Sequence, residues 1–117
     1  VFRFFEHLPW LDMPEHVREY PVRVSDIDIF DHMNNAVYWS VIEDYLFSQP
    51  ELLAAPLRVT IEHDLPVALG DKLEIIQHTY PAGSTDRFGP DLVDRTVTTL
   101  TYAVGDETKA IASIFPP

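Results

Sequence analysis

At 117 residues the chain has the size of one domain, with 46% apolar and 23% charged residues, values ordinary for a globular protein. Its net charge of −11, from 8 Lys and Arg against 19 Asp and Glu, excludes the clustered cationic face that nucleic-acid binding needs. The absence of cysteine removes disulfides, thiolate zinc sites and a cysteine nucleophile together, and fits a reducing, cytoplasmic setting. No apolar run approaches the ~18 residues of a membrane-spanning helix, and the N-terminus lacks a signal-peptide pattern. The chain begins at Val1 rather than Met, so upstream residues are expected. An anionic partner would need a local basic patch drawn from Arg18, Arg23, Arg58, Lys72 or Lys109, or from another chain.

Residues 1–16 mix Phe2, Phe4, Phe5 and Trp10 with Pro9 and Pro14. The prolines prevent a long helix, so this reads as a connecting segment whose aromatics pack on something, with the folded domain over 17–117. From Tyr20 to Ile27 the chain alternates, Tyr20, Val22 and Val24 against Pro21, Arg23 and Ser25, which predicts a half-buried strand. Asn34 or Asn35 then caps a helix that runs to about Ser48, with Pro50 as its stop. Val37, Val41 and Tyr45, with Tyr38, Ile42 and Leu46, give that helix a broad apolar face, while Glu43 and Asp44 point outward.

The remainder supplies a sheet for that face. Leu57–Leu65 reads as a strand, with Leu57, Val59 and Ile61 on one side and Arg58, Thr60 and Glu62 on the other. Pro66 breaks it, and Gly70-Asp71 turns into a second strand over Lys72–Tyr80. Residues 81–90 are a Gly- and Pro-rich loop, Leu92–Val104 is a long β-prone run, and Gly105-Asp106 turns into Thr108–Phe115. Sequential neighbours usually pair, so the last four strands are expected to form an antiparallel meander with the helix across one face, a two-layer α+β domain. Such a domain leaves a sheet edge unpaired, which a second copy would repair.

The chemistry concentrates between residues 25 and 39, where Asp26, Asp28, Asp31, His32, Asn34 and Asn35 separate the first strand from the helix. Unpaired amides at a helix start, with the macrodipole behind them, polarise a carbonyl oxygen as an oxyanion hole does. A carboxylate (Asp28) and an imidazole (His32) beside that carbonyl are the parts of an acyl-transfer or hydrolysis site. The bland reading is capping and turn formation by Asp26, Asp31, Asn34 and Asn35, which needs neither His32 nor two alternating aspartates. A third reading is a metal site. The aspartate spacing departs from a calcium loop, the central Gly is missing and Val37 stands where Glu is required, which leaves a His-carboxylate transition-metal site. His63-Asp64 and His78 fall in predicted strands and read as surface or cross-strand residues, with His63 able to face the site from a partner. No Gly-x-Ser-x-Gly elbow and no Gly-x-x-x-x-Gly-Lys occurs, so serine-hydrolase and nucleotide-binding readings gain no support.

The stretch Asp26-Ile-Asp28-Ile-Phe-Asp-His32-Met-Asn34-Asn35-Ala-Val-Tyr38-Trp39 resembles the Asp-x-Asp-x-x-x-His-Val-Asn-Asn-x-x-Tyr signature of hotdog-fold acyl thioesterases. More narrowly, it resembles the second hotdog of acyl-carrier-protein thioesterases of the plant and bacterial type. Residues 13–20 look like that family's linker into its second hotdog, and residues 57–75 look like its paired strands joined by Gly-Asp. The resemblance implies a long central helix wrapped by an antiparallel sheet of about five strands, and hydrolysis of a fatty acyl thioester of acyl carrier protein or coenzyme A. It implies no cofactor and no metal, and a homodimer or a pairing with an upstream hotdog in the same polypeptide. By position Asp28 becomes the catalytic carboxylate and His32 its partner, with Asn34, Asn35 and Tyr38 on the substrate side. An acyl tail would lie between helix and sheet or at the pairing interface, near Val37, Val41 and Tyr45. Two departures from the plant pattern stand out: Phe30 replaces an Asn, and Pro66 and Val67 stand where a further acidic or Cys residue follows the next strand. The competing functions are a non-catalytic hotdog that binds acyl groups or serves as a dimerisation half, and a hotdog hydratase of enoyl thioesters.

Overall fold

The computed structural model describes residues 16–54, 56–81 and 96–115. The connecting segment expected over residues 1–16 and the loop expected over 81–90 lie outside the described residues except for His16 and Pro81. Six elements carry the fold: β1 (His16–Pro21), α1 (Asn35–Ser48), β2 (Arg58–His63), β3 (Lys72–Tyr80), β4 (Val97–Val104) and β5 (Glu107–Phe115). The five strands form one sheet in the order β1-β3-β4-β5-β2, every pairing antiparallel.

α1 starts where expected. Asn34 is extended, and its side-chain oxygen accepts the Ala36 N–H at 3.0 Å, satisfying one of the donors a helix start leaves without an internal partner. At the other end the Gln49 N–H closes onto the Leu46 carbonyl and the Ser48 hydroxyl onto that of Tyr45. Pro50, which lacks an N–H, then opens a short 3-10 turn over Pro50–Ala54. Tyr38, Val41 and Ile42 are buried, and Val37, Tyr45 and Leu46 are partly buried against the same core. Spacings of three and four keep them on one helical stripe, which lies against Leu73, Ile75, Leu100, Tyr102, Ala110, Ala112 and Ile114 of the sheet. Complete burial of Ile42 alone is worth about 2 kcal/mol of apolar transfer. The Tyr102 hydroxyl donates to the Tyr38 carbonyl at 2.7 Å, a buried polar tie between sheet and helix.

Within the meander, β3, β4 and β5 pair in sequence as expected, and Gly105 supplies a φ of 59° at the tight turn between the last two. The expected hairpin of β2 with β3 does not form. β2 crosses to the far edge and pairs with β5, Val59 opposite Ile114 and Ile61 opposite Ala112, while β3 takes β1 as its other neighbour. The connection between them is not a two-residue turn. The Asp64 and Leu65 N–H groups still bond to the Lys109 carbonyl, Val67 is wholly buried, and its carbonyl accepts the Met33 N–H at 2.6 Å. Gly70, with a φ of 91°, and Asp71 only redirect the chain, since Asp71 bonds back to Ala68 through both its N–H and its carboxylate.

The first strand is also displaced from expectation. It begins at His16 and ends at Pro21, and Val24, expected to face inward, is 75% exposed in a 3-10 turn over Val24–Asp26. The cause is Asp26. Its carboxylate takes the Arg23 backbone N–H at 2.9 Å and the Arg23 guanidinium at 3.2 Å, which bends the chain before another strand residue can be added. Among the described residues no helix is long and apolar enough to cross a membrane.

Candidate active site

The site loop is held at both ends before any chemistry is considered. Asp26, 3% exposed, accepts from Arg23 and from the Tyr20 hydroxyl at 3.3 Å, and its carbonyl accepts the Asn34 N–H at 2.7 Å. Burial would push this carboxyl up, but the Arg23 N–H, the guanidinium bond and its positive charge together hold it below the usual carboxylate value. At the other end Met33 is buried, bridged to Ile27 and bonded to Val67.

Between these anchors the chain folds on Asp28. The Asp28 N–H bonds to the His32 carbonyl at 2.9 Å, and Asp28 Oδ1 accepts the N–H groups of Phe30 at 2.8 Å and His32 at 3.2 Å. This is an Asx-type turn, in which a short acidic side chain replaces the missing backbone acceptor. Asp31 adopts a φ of 61°, a left-handed conformation that Asp tolerates better than most residues. The turn thrusts Ile29 and Phe30 into solvent, 93% and 73% exposed. Asp28 Oδ2 takes no part in the loop's bonds.

A cleft of about 440 Å³ opens beside the loop. Asp28, His32, Met33, Asn35 and Tyr38 form one wall, and His63, Asp64, Leu65 and Pro66 form the other. Four of the five expected site residues, Asp28, His32, Asn35 and Tyr38, thus meet at one place. The fifth, Asn34, does not line the cleft, because its side chain caps α1. The capping reading holds for Asn34, whereas Asp26 locks Arg23 and Asp28 and Asp31 shape the turn. Of the first helical amides, Ala36 N–H goes to the Asn34 side chain and Val37 N–H to the Asn34 carbonyl. The Asn35 N–H enters neither bond, and it is Asn35 that borders the cleft. Among the described residues no three His, Asp or Glu side chains gather as a metal cluster.

The wall from β2 is what sequence reasoning did not place within this chain, since it let His63 face the site only from a partner. His63 pairs with Ala110 and follows Val59 and Ile61 at a spacing of two, so it shares their helix-facing side. Its ring meets the buried Tyr38 ring edge-on, with centroids 4.7 Å apart. The parity signal was present, and it places His63 on the cleft of its own chain. Burial pushes the Tyr38 phenol above its usual value, against a backbone hydrogen bond at Val67 that acts the other way. Of the residues expected near an acyl tail, Val37 and Val41 pack into the core, and Tyr45 borders two small cavities of about 180 and 240 Å³ at the far end of α1.

A family model described as the acyl-ACP thioesterase C-terminal domain matches residues 11–117. An uncharacterized protein of Mycobacterium tuberculosis is 37% identical over 70 residues, which cover 57% of this chain and 28% of that protein. The 12:0-ACP thioesterase from Umbellularia californica superposes with a TM-score of 0.63 at 15% identity, over 89% of this chain and 36% of that chain. A thioesterase from Thermus thermophilus, complexed with coenzyme A and Zn, does so with a TM-score of 0.60 at 19% identity, over 85% and 74%. These likenesses establish the fold, a five-stranded antiparallel sheet with one helix, as one shared with both of those chains. The chain spans 28% of the curated relatives it matches.

Proposed function

The chain belongs to the acyl-ACP thioesterase C-terminal domain family, and on that premise we propose that its cleft hydrolyses fatty acyl thioesters of acyl carrier protein or coenzyme A. The observation that carries the reading is the meeting of Asp28 and His32 with Asn35, whose N–H opens α1, around one cavity. The thioester oxygen rests at the Asn35 N–H, where the helix dipole stabilises the negative charge that develops on it. Water sits against Asp28 Oδ2 and His32, which take its proton as its oxygen adds to the carbonyl carbon. The C–S bond then breaks, the sulfur leaves with the bonding pair and a proton, and a free fatty acid remains. Asn34 serves by holding the helix start, and Tyr38 by walling the cleft.

Asp28→Asn tests this assignment. The amide oxygen can still accept the Phe30 and His32 N–H groups, so the loop is retained while the base is removed. Thiol release from palmitoyl-CoA is expected to fall at least about 100-fold with an unchanged circular dichroism spectrum. A folded Asp28→Asn variant with undiminished hydrolysis would refute the role.

The second reading is a non-catalytic hotdog that binds acyl groups or serves as the pairing half. The exposed ring of Phe30, standing at the loop tip beside the cleft, favours it. No thiol release from palmitoyl-CoA by the whole natural protein, with acyl binding retained, would decide for that reading. Either way the arrangement we infer is a hotdog whose sheet curls about α1 and which pairs with a second hotdog, upstream in the same polypeptide or in another copy.

A further inference from the structure

We propose that His63 is a second catalytic imidazole, the acid that protonates the departing thiolate. The inference rests on the thioesterase reading above and extends it to the opposite wall. Three observations support it. His63 faces the helix side of the sheet by register and lies across from Ala110, whose methyl group leaves the imidazole room. Its ring meets the Tyr38 ring edge-on, and the Tyr38 ring packs in turn on that of Tyr102, with centroids 5.0 Å apart. The imidazole is nonetheless exposed and borders the same 440 Å³ cleft as Asp28 and His32. An exposed imidazole whose orientation is set by packing is pre-organised for proton transfer rather than free to sample solvent.

The geometry divides the labour. A thioester whose oxygen points at the start of α1 has its carbonyl carbon between the two walls. In the tetrahedral intermediate, the added water oxygen and the sulfur diverge from that carbon. Asp28 and His32 hold the wall from which water adds, which leaves the sulfur to the wall built by the end of β2. There the C–S bond breaks, its electron pair goes to sulfur, and the imidazolium of His63 gives sulfur its proton. The neutral ring regains a proton from solvent, and the proton taken from water leaves by way of Asp28 and His32. An imidazolium is a stronger acid than an alkyl thiol, so the transfer runs downhill.

The test is a leaving-group comparison on the whole natural protein, using His63→Gln and His63→Phe. The Phe variant keeps a ring against Tyr38 and carries no proton. Two palmitoyl thioesters serve as probes, one of N-acetylcysteamine, a poor alkylthiolate leaving group, and one of thiophenol, a good one. If His63 is the acid, both variants lose more kcat on the alkyl ester than on the aryl ester, by a factor of about 100. Equal losses on the two esters, or no loss on either, would overturn the role of His63 and leave the Asp28–His32 assignment standing. Wild-type protein inactive on both esters would overturn the thioesterase reading itself, and this inference with it.

Discussion

Asp26 and Asp28 stand two positions apart and occupy opposite surroundings. Asp26 is covered, fully bonded and held ionised by Arg23, whereas Asp28 is exposed with one oxygen in the turn and the other clear of it. The first anchors the loop, and the second borders the cleft. Much of the hold on Asp26 comes from the Arg23 backbone N–H, because the Arg23 side chain is 68% exposed and its ion pair is weakened by water. Asp26→Asn is therefore expected to destabilise the fold by about 2 kcal/mol at neutral pH, the scale of a lost charged hydrogen-bond set. The folded carboxyl lies below its usual value, so its stabilisation is fully present above pH 3.8 and is lost as the pH falls through the lower folded value. Urea denaturation should show a constant gap between wild type and Asp26→Asn from about pH 5 to 8, narrowing below about pH 4. A gap that widened on acidification would contradict this account.

At the scale of elements, the periodicities of α1 and β2 hold, whereas the alternation expected through Val24 breaks at Asp26 and the connection after β2 does not follow from periodicity. Gly70-Asp71 has the composition of a hairpin turn, yet it lies at the end of a crossing whose middle, Val67, is buried beneath the site loop and bonded to Met33. That crossing brings Leu65 and Pro66 onto the cleft wall, and it sets β2 beside β5. The helix in turn is tied to the sheet by apolar contact and by one buried hydroxyl, since Tyr102 donates to the Tyr38 carbonyl. Burial pushes the Tyr102 phenol far above its usual value, so it remains a donor throughout the neutral range. Tyr102→Phe removes that donor and little volume, and is expected to lower stability by about 1 kcal/mol. Because Tyr38 also backs His63, the same variant should loosen the His63 ring, seen as averaging of its NMR resonances. An unchanged melting temperature and unchanged His63 signals would show that the tie contributes nothing.

For the whole molecule, the sheet ends in β1 on one side and β2 on the other, each with one strand neighbour among the described residues. Exposed strand edges are sites for strand addition unless they are covered. The two edges are what support the pairing proposed above. The whole natural protein should sediment at no less than about twice the mass of this chain, as two hotdogs in one polypeptide or as two copies. Sedimentation as a single hotdog unit would remove the pairing and place the complete site within this chain.

Some of this was readable one residue at a time. The Asn34 cap, the stripe of Tyr38, Val41 and Ile42, the alternation of Val59 and Ile61, and the clustering of Asp28 with His32 all follow from local preferences, which depend on neighbours a few positions away. Alternation reports which face a side chain takes and is silent about which strand lies alongside. Only the tertiary structure decided that β2 joins β5, that Val67 passes beneath Met33, and that His63 ends across a cleft from residues some thirty positions earlier. Those placements depend on contacts between segments distant in the chain, where the burial of Val67 and Met33 outweighs the turn preference of Gly70-Asp71.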